Sequence, residues 1–121
     1  MTISEAAARY GLTADTLRYY ERIGIIPPVP RDSSGKRDYD ESSCGWIELM
    51  KCFRSAGVQI EALVEYVELY RMGEDTAKDR RDILVGQRER LAGKIRELQE
   101  SLELLDRKIA FYDANEKCMH P

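Results

Sequence analysis

Arg18, Tyr19 and Tyr20 stand together in the run TADTLRYYERIGIIPP, Thr13 to Pro28. Lys36, Arg37 and Tyr39 repeat the same residue types a short distance on. Arginine and lysine tie down phosphates. Tyrosine packs its ring on a scaffold and offers its hydroxyl. Thr16 adds a second kind of hydroxyl donor one turn before Tyr20. Two basic-plus-tyrosine clusters flanking a Pro27–Pro28 corner suggest one surface that grips a nucleic-acid backbone. The plainer alternative is a solvated Arg18 with core tyrosines. A second chemistry is offered by Cys52, which follows Lys51 and precedes Arg54. Cations that point at a sulfur favour its thiolate, which closeness in sequence alone does not show; the plainer alternative for Cys52 is an interface cysteine with no chemistry.

Those residues need elements to hold them. Thr2 to Glu5 reads T-I-S-E, a capping box, and opens a helix that runs to about Tyr10 and stops at Gly11. Thr13 caps the next helix, which Gly24 ends and Pro27 and Pro28 forbid from resuming. Ala7 suits a close helix approach, Gly11 a tight turn, and Leu12 and Leu17 apolar packing, so the pair fits a helix-turn-helix. PRDSSGKRDY loses the helical period and suits a small β-hairpin or wing, with Gly35 at positive φ. Asp40 caps a third helix ending near Ala56, with Cys44, Trp46, Ile47, Leu49, Met50 and Phe53 on its apolar arc. A fourth helix places Ile60, Leu63, Val64, Val67 and Leu69 on most of its apolar face. Cys44 reads as a small core residue. Cys52 lies roughly 120° from the centre of the arc and is not obviously core.

From about Thr76 to Tyr112 the pattern changes. Leu84, Leu91, Leu98, Leu105 and Tyr112 recur at heptad spacing, and Ile95, Leu102 and Ile109 fill the alternate seam position. At ~1.5 Å per residue this helix is about 55 Å long. The rest of the chain is too small to cover so long a stripe. A second copy is the natural partner, giving a homodimer through a two-stranded coiled coil. The expected division is residues 1–72 for the reading half with its connecting helices, 73–112 for the dimerisation helix and 113–121 for a flexible tail.

Composition limits the function classes. The 121 residues are 34% charged and 43% apolar, with 19 basic and 22 acidic side chains and a net charge of −3. Nucleic-acid binding must therefore come from a local basic face, not from overall charge. No secretory leader or membrane span is expected. Three cysteines without a pairing pattern suit a reducing, cytoplasmic setting. No phosphate loop, nucleophile elbow or metal cage is present, so no enzyme, no cofactor and no metal site is expected.

The blocks TLRYYERIGIIPP and SGKRDYDE, followed by an apolar helix, closely resemble the MerR family of transcription regulators. The resemblance covers roughly Ile3 to Tyr112. Lys36 departs from it, since the family commonly has an aromatic residue there, and so does Asp38, often basic in relatives. The resemblance implies a mainly α fold: a winged helix-turn-helix followed by a long helix that forms an antiparallel coiled coil in the dimer. It also implies a dimer on a near-palindromic promoter, bending and untwisting the DNA so that RNA polymerase engages both promoter elements. Arg18 and Tyr20 match the family's backbone-gripping helix residues, and Arg37 and Tyr39 its wing contacts.

WIELMKCFRSAGVQIEALVEYVEL further resembles the NmlR/AdhR branch, whose members respond to reactive aldehydes and thiol stress. By that resemblance Cys52 is the sensor, modified by an electrophile such as formaldehyde, a dicarbonyl or a quinone, or by an oxidant. The alternatives are a metal-responsive regulator using Cys118 and His120, too few ligands for a closed site, and a coiled-coil module that binds protein. Steep weakening with salt would separate DNA binding from the last of these.

Overall fold

The computed structural model describes residues 1–115, and five α-helices lie among them. Helix α1, Ile3–Tyr10, is opened by a reciprocal cap. The Glu5 N–H donates to Thr2 Oγ1 at 3.1 Å, and the Thr2 N–H donates to Glu5 Oε1 at 2.9 Å. Gly11 closes the helix at φ +64°, a left-handed conformation that strains L side chains. The turn lets the Leu12 N–H reach the Ala7 carbonyl at 3.0 Å. Helix α2, Ala14–Ile23, begins where Thr13 Oγ1 accepts from the Thr16 N–H at 3.0 Å. Ala6, Ala7, Leu17 and Tyr20 are the buried residues of this helix pair.

The segment from Ile25 to Tyr39 carries the wing. Its two arms meet in one antiparallel bridge, Arg31 to Arg37, rather than in the pair of strands expected for a hairpin. The tip is organised by Asp32, whose Oδ1 accepts from the Ser34 N–H, the Ser34 hydroxyl and the Lys36 N–H. A side-chain knot of this kind competes with ladder pairing, which shortens the strands to a bridge. Gly35 takes φ +82°, as the sequence leads one to expect.

Helix α3, Glu41–Ser55, is capped by Asp40, whose Oδ1 accepts from the Ser43 N–H at 2.8 Å. Helix α4 is Ile60–Met72, a short 3₁₀ turn follows at Glu74–Thr76, and α5 is Ala77–Ala114. Leu17, Ile25, Ile26, Ile47, Met50 and Leu63 are fully enclosed, and Tyr39 and Val67 join them in the core. Leu69 is only half-buried, because two residues past Val67 turns it about 200° round the helix.

The chain divides into two compact units, residues 1–87 and the part from Arg88 onward. The first unit holds the core just described and the opening turns of α5. The second is the remainder of α5, a single helix as far as it is described. Its seam is bare: Ile95, Leu98, Leu102, Leu105 and Ile109 are all exposed, Leu98 at 69%. Leu104 and Phe111 are also exposed, off that seam. No residue of α5 is buried. No helix among the described residues is long and apolar enough to cross a membrane.

Candidate nucleic-acid interface

The basic residues converge where the sequence brings helix and wing together. Arg18 from α2 and Arg31, Lys36 and Arg37 from the wing line one cleft of about 350 Å³, with Thr2 and Asp32 at its edge. Four cations line the cleft with one carboxylate, Asp32, while Glu21 and Asp15 pair with Arg37 and Arg18 from outside the lining, so the face is basic by a narrow margin on a chain of net negative charge. Glu21 ties the wing to α2. Its Oε1 accepts from Arg37 Nε at 2.7 Å, and its Oε2 accepts from the Val29 N–H at 3.0 Å. One carboxylate on α2 thereby fixes both the wing and the segment leading into it.

Arg18 is half-exposed and pairs with Asp15 at 2.8 Å, one turn back on the same helix. An exposed pair of this kind is worth little, so it yields readily to a phosphate. Tyr19 is 38% exposed, with the Arg22 guanidinium over its ring. Thr16 shares a hydroxyl–hydroxyl hydrogen bond with Thr13 at 2.9 Å. Arg31 Nη1 donates to the Gly35 carbonyl at 3.3 Å, which folds it across the wing tip.

Two of the expected contact residues lie elsewhere. Tyr20 is 9% exposed and Tyr39 only 2%, so neither ring lies on the outer face. Tyr20 stands one turn beyond Leu17 and shares its inward face. The Tyr39 N–H donates to the Met1 carbonyl at 2.8 Å and the Met1 amino group donates to the Tyr39 carbonyl at 2.9 Å, which ties its backbone to the start of the chain. The Tyr39 hydroxyl is buried without a hydrogen-bond partner among the described residues. Burial pushes its pKa up, and Glu21 adds to this, against the lowering fields of Arg37, Arg18 and Arg31. Neither the ring nor the hydroxyl of Tyr39 is exposed in this arrangement.

Glu21 and Arg31 belong to the site and carried no signal of that in the sequence reading. Burial works to raise the Glu21 pKa, but the hydrogen bonds from Arg37 and Val29 outweigh it and hold the carboxyl below its ordinary value of 4.5. A depressed carboxylate pKa stabilises the fold above the unfolded value, and that contribution is lost as pH falls through the folded one. Glu21→Ala leaves two donors unpaired and is expected to cost about 2 kcal/mol near neutral pH. Thermal melts of both proteins from pH 7 down to pH 3 check this: the gap between them should begin to narrow near the ordinary value of 4.5 and shrink further as pH falls through the lower folded one. A constant gap would refute the ionised pair as its source.

Cys44 is buried and Cys52 is exposed, as their helix positions suggest. The two cations near Cys52 have other partners. Lys51 Nζ donates to the Tyr10 carbonyl, and Arg54 Nη1 donates to the Val58 carbonyl at 2.7 Å. Sequence proximity to the thiol therefore does not translate into hydrogen bonds to it. Cys118 and His120 lie outside the described residues.

A capped helix pair, a basic wing set against its second helix, and a long helix after them define a winged helix-turn-helix regulator. Residues 1–69 match the family described as MerR HTH family regulatory protein, and the chain belongs to that family. It is 55% identical over 91 residues to the HTH-type transcriptional regulator AdhR of Bacillus subtilis (strain 168). That alignment covers 75% of this chain and 65% of AdhR, just under two thirds of the relative's length. Among solved structures, a MerR family transcriptional regulator from Listeria monocytogenes superposes with a TM-score of 0.92 at 44% identity, covering 95% of this chain and 87% of that one. HiNmlR, a MerR family regulator lacking the sensor domain and bound to promoter DNA, superposes with a TM-score of 0.82 at 31% identity, covering 95% and 91%.

Proposed function

We propose that this chain is a MerR-type transcription regulator that binds promoter DNA as a homodimer and is switched by modification of Cys52. The basic cleft shared by α2 and the wing carries the DNA-binding part of the reading. Arg18, Tyr19 and Thr16 face the duplex from the helix, and Lys36, Arg37 and Arg31 hold phosphates from the wing. The likeness to a relative bound to promoter DNA supports this assignment. The bare seam of α5 supports the dimer: a helix of 38 residues with none buried needs a partner for its apolar face. Two reading heads joined by a stiff helix pair can hold promoter DNA bent and untwisted, so specificity includes a deformation energy. RNA polymerase then engages the reshaped promoter.

The resemblance of WIELMKCFRSAGVQIEALVEYVEL to the NmlR/AdhR branch implies an electrophile as signal, and the chain is 55% identical to AdhR over 91 residues. Cys52 is exposed on the last turn of α3, and its carbonyl accepts from the Ala56 N–H at 3.1 Å where the chain turns toward α4. The thiolate adds to the carbonyl carbon of an aldehyde and forms a C–S bond. The C=O π pair moves to oxygen, which takes up the proton that the thiol released. The resulting hydroxyalkyl group is neutral, bulkier and reversible, with no net redox change. It need only bias a two-state dimer by a few kcal/mol.

The test is transcription in vitro from a responsive promoter with purified protein, with and without formaldehyde, comparing wild type with Cys52→Ser. Binding to that promoter should weaken steeply with salt. The wild type is expected to gain transcription with formaldehyde and the serine variant to stay flat. An equal response from both proteins would move the sensor away from Cys52.

A further inference from the structure

The outer face of α2 is a single stripe. Asp15, Arg18, Tyr19 and Arg22 follow one another at helical spacing and are exposed, while Leu17 and Tyr20 turn inward. Arg18 lines the basic cleft, and the Arg22 guanidinium lies over the Tyr19 ring at 5.3 Å from its centroid. Those three side chains suit a polyanion. Asp15 does not. It stands in the first turn of α2, its side chain is 94% exposed, and it accepts from Arg18 Nη1 at 2.8 Å. The other acid of this helix outside the stripe's row, Glu21, is committed to Arg37 and Val29.

A carboxylate on a face that meets phosphates lowers affinity by repulsion. The plain account of Asp15 is local: it suits the positive end of the helix dipole and props Arg18 three residues on. Its place suggests more. A recognition helix meets base edges with its N-terminal residues. An ionised carboxyl group accepts hydrogen bonds and donates none. In the major groove guanine shows two acceptors, adenine an acceptor beside its donor, and thymine an acceptor and a methyl group. Cytosine alone shows a donor, its N4 amino group, with no acceptor beside it. An acceptor-only side chain therefore matches cytosine and is repelled by the edges of the others.

We propose that Asp15 is a specificity-determining residue that accepts a hydrogen bond from one cytosine N4 amino group in the major groove and disfavours the other bases at that position. The inference rests on the DNA-reading function above. Arg18 gives up its exposed pair with Asp15 at little cost and takes a phosphate. Asp15 is then left to the base edge. The two residues divide the work within one helical turn: Arg18 supplies affinity for any duplex, and Asp15 gives up some of that affinity for discrimination.

The test uses the full chain and a duplex that the wild type selects from a random pool, remade with each base pair replaced in turn. Affinity is measured on every duplex, at one salt concentration, for wild type, Asp15→Ala and Asp15→Asn. The wild type should prefer cytosine at one position by about fivefold to a hundredfold over the other bases. Asp15→Ala should lose the preference at that position and keep the others. It should bind duplexes that lack the cytosine at least as tightly as the wild type, because a negative charge has left the phosphate-facing surface. Asp15→Asn carries a donor beside its acceptor, the pattern that pairs with adenine, so its preference should widen to admit adenine. If Asp15→Ala keeps every base preference and is weakened equally on all duplexes, Asp15 is only a prop for Arg18 and the proposal is overturned, with the DNA-reading function intact. An Asp15→Asn protein that still rejects adenine overturns it too. If the wild type selects no sequence from the pool, the DNA-reading function itself fails, and this proposal with it.

Discussion

If the proposed homodimer meets at the α5 seam, Leu98→Asp should leave the protein monomeric and lower affinity for a two-half-site duplex by about 10²–10⁴-fold, the range over which paired binding exceeds single binding. Leu98 is the most exposed residue of the seam at 69%, and it has no packing role in its own chain. It is also the midpoint of the apolar series from Leu84 to Tyr112. In an antiparallel pair the midpoint meets its own copy, so one substitution places two carboxylates face to face. Burying them unpaired is far more costly than losing two leucine contacts. The first compact unit holds its core without Leu98, so helical content and the Tm of that unit should change little. Sedimentation at micromolar concentration reads the assembly, and Glu100→Ala, off the seam, is the control. A Leu98→Asp protein that remains dimeric would mean that the seam is not where the copies meet.

The sequence is most legible where structure is local. The Thr2–Glu5 capping box, the Thr13 and Asp40 caps and the stop at Gly11 all lie where the residue pattern puts them, because each is decided within a few residues. The burial of Cys44 and exposure of Cys52 follow from helix periodicity alone. What the sequence hides depends on distant partners. Tyr39 reads as a wing contact, but the fold buries it in the core and ties its backbone to Met1, 38 residues away. Glu21 looks like any charged helix residue until the fold brings Arg37 to it across 16 positions. The side-chain amides of Gln59 and Gln87 hydrogen-bond across 28 residues, and glutamine carries no periodic signal. Lys51 and Arg54 show the converse, that closeness in sequence does not fix where a side chain points. Their closeness to Cys52 in sequence suggests activation of the thiol, while the fold sends both to backbone carbonyls.

Leu17 and Arg18 are neighbours in the chain and should fail in opposite ways. Leu17, on the inner face of α2, is fully buried in the core, so Leu17→Ala removes its apolar contacts and leaves a cavity. The expected cost is about 2–5 kcal/mol. A small domain has only about 5–15 kcal/mol in hand, so the Tm should fall by roughly 10 °C or more. Affinity for a duplex, measured below that Tm, should fall much less, since Leu17 has no exposed surface. Arg18→Ala should do the reverse. It loses only an exposed ion pair with Asp15, so its Tm should stay within a degree or two of wild type on the scale of ~0.5 kcal/mol. Its duplex affinity should drop about tenfold at low salt, with the salt slope reduced by about one phosphate contact. The double comparison separates scaffold from surface within a single helical turn. If Arg18→Ala bound DNA like the wild type, the plainer reading of that arginine as a solvated residue would stand, and the grip on the duplex would rest on the wing alone.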